Sequence, residues 1–324
     1  MLRIIQKRNY WFALSGIILI LAILSLMTWK LKLGIDFTGG SFMELSFNEE
    51  RPEISLIKST LDPLELGSLI VQPMGDKSLA LRFQDTSEEK HQEILKKINE
   101  LAFSLEGQNK PESENVIKED GGTTASAVSS NTVEELRYNA VGPTVGKELR
   151  SKSITAVTLV VVAILCYIAY AFRKISKPVA SWKYAVSAII AVLHDAFITL
   201  GVVAVIGKFL NIEVDTSFIV AVLTVLGFSV HDTIVVFDRI RENLPRSNED
   251  FENTVNTSIN KTLARSINTT LSTVLALLAI IIWGGASIKG FVIVLSVGFL
   301  FGAYSSIFLA SPLLVVWDKL SRRA

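Results

Sequence analysis

Six apolar runs, each long enough to cross a bilayer, decide what this chain can become. They extend from Tyr10 to Trp29, Ile154 to Phe172, Tyr184 to Ile206, Thr216 to Phe237, Leu263 to Trp283 and Phe291 to Trp317. A hydrocarbon core about 30 Å thick needs roughly 20 helical residues, and every backbone amide inside it must find a partner in its own segment. The runs are therefore predicted to be membrane-spanning helices. Composition agrees: over 324 residues, 50% are hydrophobic and 19% charged, with a mean hydropathy of +0.43, too apolar for one soluble domain. Lys plus Arg number 32 against 31 Asp plus Glu, so no global basic surface points to nucleic acid. A single cysteine, Cys166, excludes an intramolecular disulfide and a cysteine-based zinc site.

The first run stands alone and the other five cluster after about residue 150. Leu26 to Lys30 offers no small-residue cleavage site, and the run is too long for a signal-peptide core, so it reads as a retained anchor. With the N-terminus inside, the cytoplasmic segments hold 15 Lys and Arg residues, while the two short outer loops hold Lys208 and Lys289 only. The positive-inside rule then predicts both termini in the cytoplasm and the large insert outside. The expected division is 1–30 for the N-terminus and first span, 31–150 for the insert, and 151–324 for five further spans.

The insert reads as a small α+β domain. Met43, Leu45 and Phe47 alternate with Phe42, Glu44 and Ser46, which suits a strand with one buried face. Pro52 to Leu61 reads as a short helix, and Leu69 to Gln72 with Ser78 to Phe83 as strands joined by Pro73-Met74-Gly75-Asp76. Thr86 and Glu89 make a capping box for an amphipathic helix ending at Gly107. A polar stretch from Gln108 to Asn131 precedes a last strand, Val133 to Val141. The sum is ferredoxin-like, giving a mainly α membrane protein of six transmembrane helices with an extracytoplasmic α+β domain between helices 1 and 2. This domain carries 14 basic against 21 acidic residues, which disfavours nucleic acid. His91, its only histidine, falls on the polar helix face and reads as a solvated surface residue.

Ionisable residues inside a span cost at least about 2.5 kcal/mol, so each asks for a function or a partner. Asp195, preceded by His194, lies mid-way along the third run; Asp232, preceded by His231, lies about five residues from the inner end of the fourth. Ser229, Asp232, Thr233 and Val236 share one helix face. A second polar stripe, Arg265, Asn268, Thr269 and Ser272, opens the fifth run and is expected to face the first, with Arg265 in reach of Asp232. Low dielectric favours a neutral carboxylate and a nearby arginine a charged one, so a shape change that alters their balance binds or releases a proton. A static ion pair that fixes packing is the alternative. The histidines are candidates for a proton relay or for lining, and nothing fixes a metal geometry.

Other features read as structural. Gly298 and Gly302 suit close helix packing, and the segment from Arg239 to Lys261 reads as an amphipathic helix along the inner surface. Gly34 to Gly40 lacks the GxxxxGK[ST] spacing of a phosphate loop.

Several segments carry a resemblance: Gly34-Ile35-Asp36-Phe37-Thr38-Gly39-Gly40, Val141-Gly142-Pro143-Thr144-Val145-Gly146-Lys147-Glu148-Leu149, His194-Asp195 with Ile198-Thr199-Leu200-Gly201, the long run from Gly227 to Asn243 that contains His231-Asp232-Thr233, and Thr262-Leu263-Ala264-Arg265-Ser266. With the six-span layout they resemble the SecF family, the smaller half of the SecD/SecF complex of bacterial protein export. The resemblance implies half of a twelve-span, resistance-nodulation-division-type unit. With SecD it would use the proton gradient to draw unfolded secreted chains from the SecYEG channel across the cytoplasmic (inner) membrane, without a cofactor or enzymatic chemistry. By position it implies Asp232 as the proton-site aspartate and Arg265 as its partner, with Asp195 also in the pattern. His231 departs from it, since many relatives have Asn there. A small-molecule or lipid exporter half of the same superfamily, and a non-conducting scaffold, stay open as alternatives.

Overall fold

The computed structural model describes residues 2–84, 87–109, 133–173, 179–210 and 212–321. Thr86 and most of the polar stretch after residue 109 lie outside them. In chain order the elements are α1 (Arg8–Trp29), α2 (Ile35–Thr38), β1 (Gly40–Phe47), α3 (Ile54–Leu61), β2 (Ile70–Met74), β3 (Ser78–Phe83), α4 (Glu88–Asn109), β4 (Val133–Val141), α5 (Pro143–Ala171), α6 (Ser181–Leu210), α7 (Thr216–Asn243), α8 (Phe251–Trp283), α9 (Ala286–Ser305) and α10 (Ser311–Ser321). The chain divides into two compact units, one of residues 1–33 with 151–324 and one of residues 34–150.

Among the described residues of the smaller unit, four antiparallel strands lie in the order β2-β3-β1-β4, with α3 between β1 and β2 and α4 between β3 and β4. The alternation in β1 works as its sequence demands: Met43, Leu45 and Phe47 join Leu79, Leu81 and Phe83 in a core closed by Ile57 and Leu61 of α3 and Ile94 and Ile98 of α4. The β2–β3 turn is tighter than expected. Pro73 and Met74 pair with Leu79 and Ser78, leaving Gly75-Asp76-Lys77 to make the reversal, with Gly75 at φ +82°. Proline is tolerated there because β2 is an edge strand. The two glycine-bearing segments of the sequence pack on each other: a Cβ on Gly39 would meet Pro143 Cα at 2.9 Å, and one on Gly146 would meet the Phe37 carbonyl carbon at 3.2 Å. Backbone lies on backbone at that contact, so side chains are excluded from it.

His91 overturns the surface reading. It is 7% exposed, stacked on Tyr138 with centroids 3.8 Å apart, and its Nδ1 and Nε2 lie 3.0 Å from Glu88 and 2.7 Å from Glu135. Ionised carboxylates only accept, so the protonated ring, with a donor at each nitrogen, is the form that satisfies both contacts. Glu135 is 44 residues away, which is why helix periodicity alone did not reveal the pair. Burial opposes the charged ring, but the hydrogen bonds to Glu135 and Glu88 outweigh it and hold the imidazole above its ordinary value of 6.5. The stabilisation is therefore complete below about pH 6.5 and is lost as pH rises through the raised folded-state value. Thermal unfolding of this unit should move to lower temperature as pH rises above the ordinary imidazole value of 6.5, and His91→Phe, which keeps the stack on Tyr138, should flatten that dependence. A wild-type midpoint indifferent to pH would contradict the pinning role.

Among the described residues of the larger unit, six helical stretches are long and apolar enough to span a membrane, in the same order as the six runs. α7 packs on α9, α6 and α8, and α1 packs on α6. Close approach explains the glycines of the sixth span: a Cβ on Gly298 would meet Val225 Cγ2 at 2.2 Å, and one on Gly302 would meet the Ser229 Cβ at 3.1 Å. Asp215 caps α7 by accepting from the Phe218 N–H at 2.9 Å, and Asp250 caps α8 by accepting from Asn253 at 3.1 Å.

Two expectations need correction. The segment 239–261 is not one surface helix: α7 runs on to Asn243, a turn holding Pro245 breaks it, and Phe251, Val255 and Ile259 are buried in the first turns of α8. The sixth run is not one uniform α-helix either, because a π-turn, Ser306–Ala310, separates α9 from α10. Pro312 cannot donate to the preceding turn, and the Ser311 hydroxyl donates to the Ser306 carbonyl at 2.8 Å across the widened turn.

Candidate functional site

The two intramembrane aspartates occupy neighbouring but chemically different sites. Asp195 is wholly buried. Its Oδ2 accepts from Ser229 Oγ of α7 at 2.6 Å and from Ser305 Oγ of α9 at 2.5 Å, and its Oδ1 lies 3.0 Å from His194 Nδ1. Three helices therefore converge on one carboxylate. Around it Thr233 Oγ1 lies 2.8 Å from Ser306 Oγ at the start of the π-turn, and Thr199 donates to the Asp195 carbonyl at 2.7 Å. His194 Nε2 is buried without a hydrogen-bond partner, and its ring lies 6.4 Å from that of Tyr304, whose hydroxyl is 3.0 Å from Ser15 Oγ of α1.

Asp232 is 8% exposed and turns away from this cluster. Its Oδ1 accepts from Ser266 Oγ of α8 at 2.9 Å, while its Oδ2 is buried without a partner. His231 and Arg265 act on it across space, and no ion pair joins Arg265 to it among the described residues.

The structure thus regroups the residues picked from the sequence. Ser229 and Thr233 belong with Asp195 and Ser306 and do not line Asp232. Arg265, Asn268 and Thr269, with Ser272, are on the exposed side of α8, and His231 is exposed as well. The buried file of α8 is Thr262, Ser266, Thr270 and Val274. Its fourfold spacing was present in the sequence, but the more polar stripe beside it masked the signal. Ser305 and Ser306 also went unread, although a serine pair inside an apolar run was the available sign. Physical size decides the choice of face: serine and threonine fit between close helices, whereas a buried guanidinium needs its own counter-ion. Among the described residues no three His, Cys, Asp or Glu converge on a point that would hold a metal ion.

Comparison with known proteins places this architecture. Residues 122–320 match the family described as protein export membrane protein SecD/SecF, C-terminal. The protein translocase subunit SecF of Thermobaculum terrenum is 42% identical over 323 residues, covering 98% of this chain and 95% of that one. The chain belongs to the SecF family. The SecF of Synechocystis sp. is 34% identical over 97% of this chain and 93% of its own length. The crystal structure of SecDF, a translocon-associated membrane protein from Thermus thermophilus, superposes with a TM-score of 0.76 at 28% identity. That match covers 97% of this chain but 38% of the longer SecDF chain. Membership of the SecF family, together with six apolar helices, makes this a multi-pass membrane protein.

Proposed function

We propose that the chain works as a SecF-like subunit of the Sec translocase, coupling proton movement through the membrane to translocation of unfolded polypeptide. The observation that carries the reading is Asp232: a carboxylate within a span, with one oxygen held by Ser266 and the other buried and unpartnered. A group in that setting either carries a proton or leaves a buried charge half satisfied, and the second is costly. Asp195, with its own hydroxyl donors, is the second proton-coupling candidate; its contacts with Ser229 and Ser305 tie its state to the packing of α6, α7 and α9.

The exposed stripe of Arg265, Asn268 and Thr269 supports a partner in the membrane. Polar groups facing lipid are expensive, and a second polytopic half such as SecD would cover them. Arg265 then serves at the seam, close enough to Asp232 to act through space. In this reading both termini are cytoplasmic, the unit of residues 34–150 is an extracytoplasmic ferredoxin-like domain, and SecYEG supplies the chain to be moved. The protein acts by changing shape, not by bond chemistry.

Inverted membrane vesicles containing SecD, SecYEG and this chain test the reading. With ATP held constant, collapsing the proton gradient should remove the part of translocation that depends on this chain. A chain-dependent increment that survives collapse of the gradient would contradict it.

A further inference from the structure

Serine and threonine inside a helix ordinarily return their hydroxyl proton to a carbonyl one turn back. α8 shows the habit repeatedly: Ser258 donates to the Thr254 carbonyl at 2.7 Å, Thr262 to Ser258 at 3.3 Å, and Thr273 to Thr269 at 2.9 Å. Ser266 departs from it. Its hydroxyl, 2% exposed, reaches across to α7 and donates to Asp232 Oδ1 at 2.9 Å. A serine has one proton to give, so this bond leaves Oδ2 as the oxygen without a donor, and Oδ2 is the buried, unpartnered atom.

We propose that Ser266 is the positioning residue for Asp232, fixing the carboxyl so that Oδ2 is the oxygen that takes and releases the proton. The inference rests on the reading of Asp232 as a proton site and adds to it the residue that sets which oxygen titrates. The ionisable groups acting on Asp232 across space are His231 on its own helix and Arg265 on α8. From the other packed helices, Asp195 of α6 is turned to Ser229 and Ser305, Tyr304 of α9 to Ser15, and Lys319 of α10 to Glu252, with Asp318 beside it. Among the described residues, Ser266 is thus the hydrogen-bond donor to the carboxylate. A donor held on one oxygen favours the ionised form, so its loss should make the proton harder to remove.

A hydrophobic carbodiimide, which reacts with protonated carboxyls in membranes, gives the readout. The full chain in membranes with SecD is labelled across a pH series, and adduct at Asp232 is quantified by mass spectrometry, with Asp232→Asn as the blank. Ser266→Ala should move the midpoint of labelling to higher pH by about one unit. Ser266→Thr, which keeps a hydroxyl, should restore the wild-type curve. If the alanine variant does not accumulate, Ser266→Cys, a weak donor, should shift the midpoint in the same direction. A wild-type curve that titrates, overlaid by the curve of either donor-deficient variant, overturns the positioning role alone. Wild-type labelling that ignores pH overturns the proton-site reading beneath it.

Discussion

Asp232→Asn is expected to reduce export to the level of cells that lack the chain, while membrane insertion and association with SecD stay at wild type. Asparagine keeps the outline of the side chain, and its amide oxygen accepts from Ser266 as Oδ1 does now. Packing of α7 on α8 therefore survives. What is lost is a group able to exchange a proton, because a carboxamide does not titrate in the accessible range. The change removes function without removing structure, which separates a coupling residue from a packing residue. Secretion of a reporter in cells whose only copy is the variant measures it. Wild-type secretion would exclude Asp232 as the coupling group.

Asp195→Ala should have the other large effect, on assembly. Truncation removes the carboxylate that Ser229, Ser305 and His194 share, all of them buried; Ser305 retains the Gly302 carbonyl at 3.2 Å, while Ser229 and His194 lose the contact outright. Each orphaned buried polar group costs about 1–3 kcal/mol, enough in combination to cut accumulation of the folded protein several-fold. Asp195→Asn should accumulate normally, since its amide oxygen can take the place of Oδ2 and receive both serines while the amide nitrogen faces His194. Detergent-extracted yield and thermal stability of the two variants make the comparison. Equal loss in both would show that charge, and not hydrogen bonding, holds α6, α7 and α9 together, whereas normal stability of the alanine variant would mean the cluster is not structural. Export by the asparagine variant then tests the coupling role proposed for Asp195, and its loss is the expected result.

How far the sequence could be read follows from what each level of structure requires. A bilayer demands unbroken apolar runs, so six spans were visible as six runs. A half-buried strand demands alternation, so β1 and β3 were visible at Ser41 to Phe47 and Ser78 to Phe83. The failures arise where two patterns compete or where partners are distant. α8 carries two polar files, and periodicity gives no reason to bury Ser266 in preference to Arg265; only the space available between helices does. His91 lies on a polar helix face, yet Glu135 and Tyr138 from β4 close over it. The π-turn at Ser306–Ala310 depends on how Ser311 and Pro312 resolve one turn of backbone, which hydropathy does not register. The pair Asp195 and Asp232 was legible as two costly charges, while their separation into distinct hydrogen-bond networks was not.

The most direct measurement is the infrared spectrum of the chain with SecD in lipid, recorded as pH is stepped through the working range. A carboxylic-acid carbonyl band should appear on acidification, be absent from Asp232→Asn, and move to a different midpoint in Ser266→Ala. Identical titration spectra for the wild type and Asp232→Asn would contradict the proposed proton site, since no proton would then be bound at Asp232.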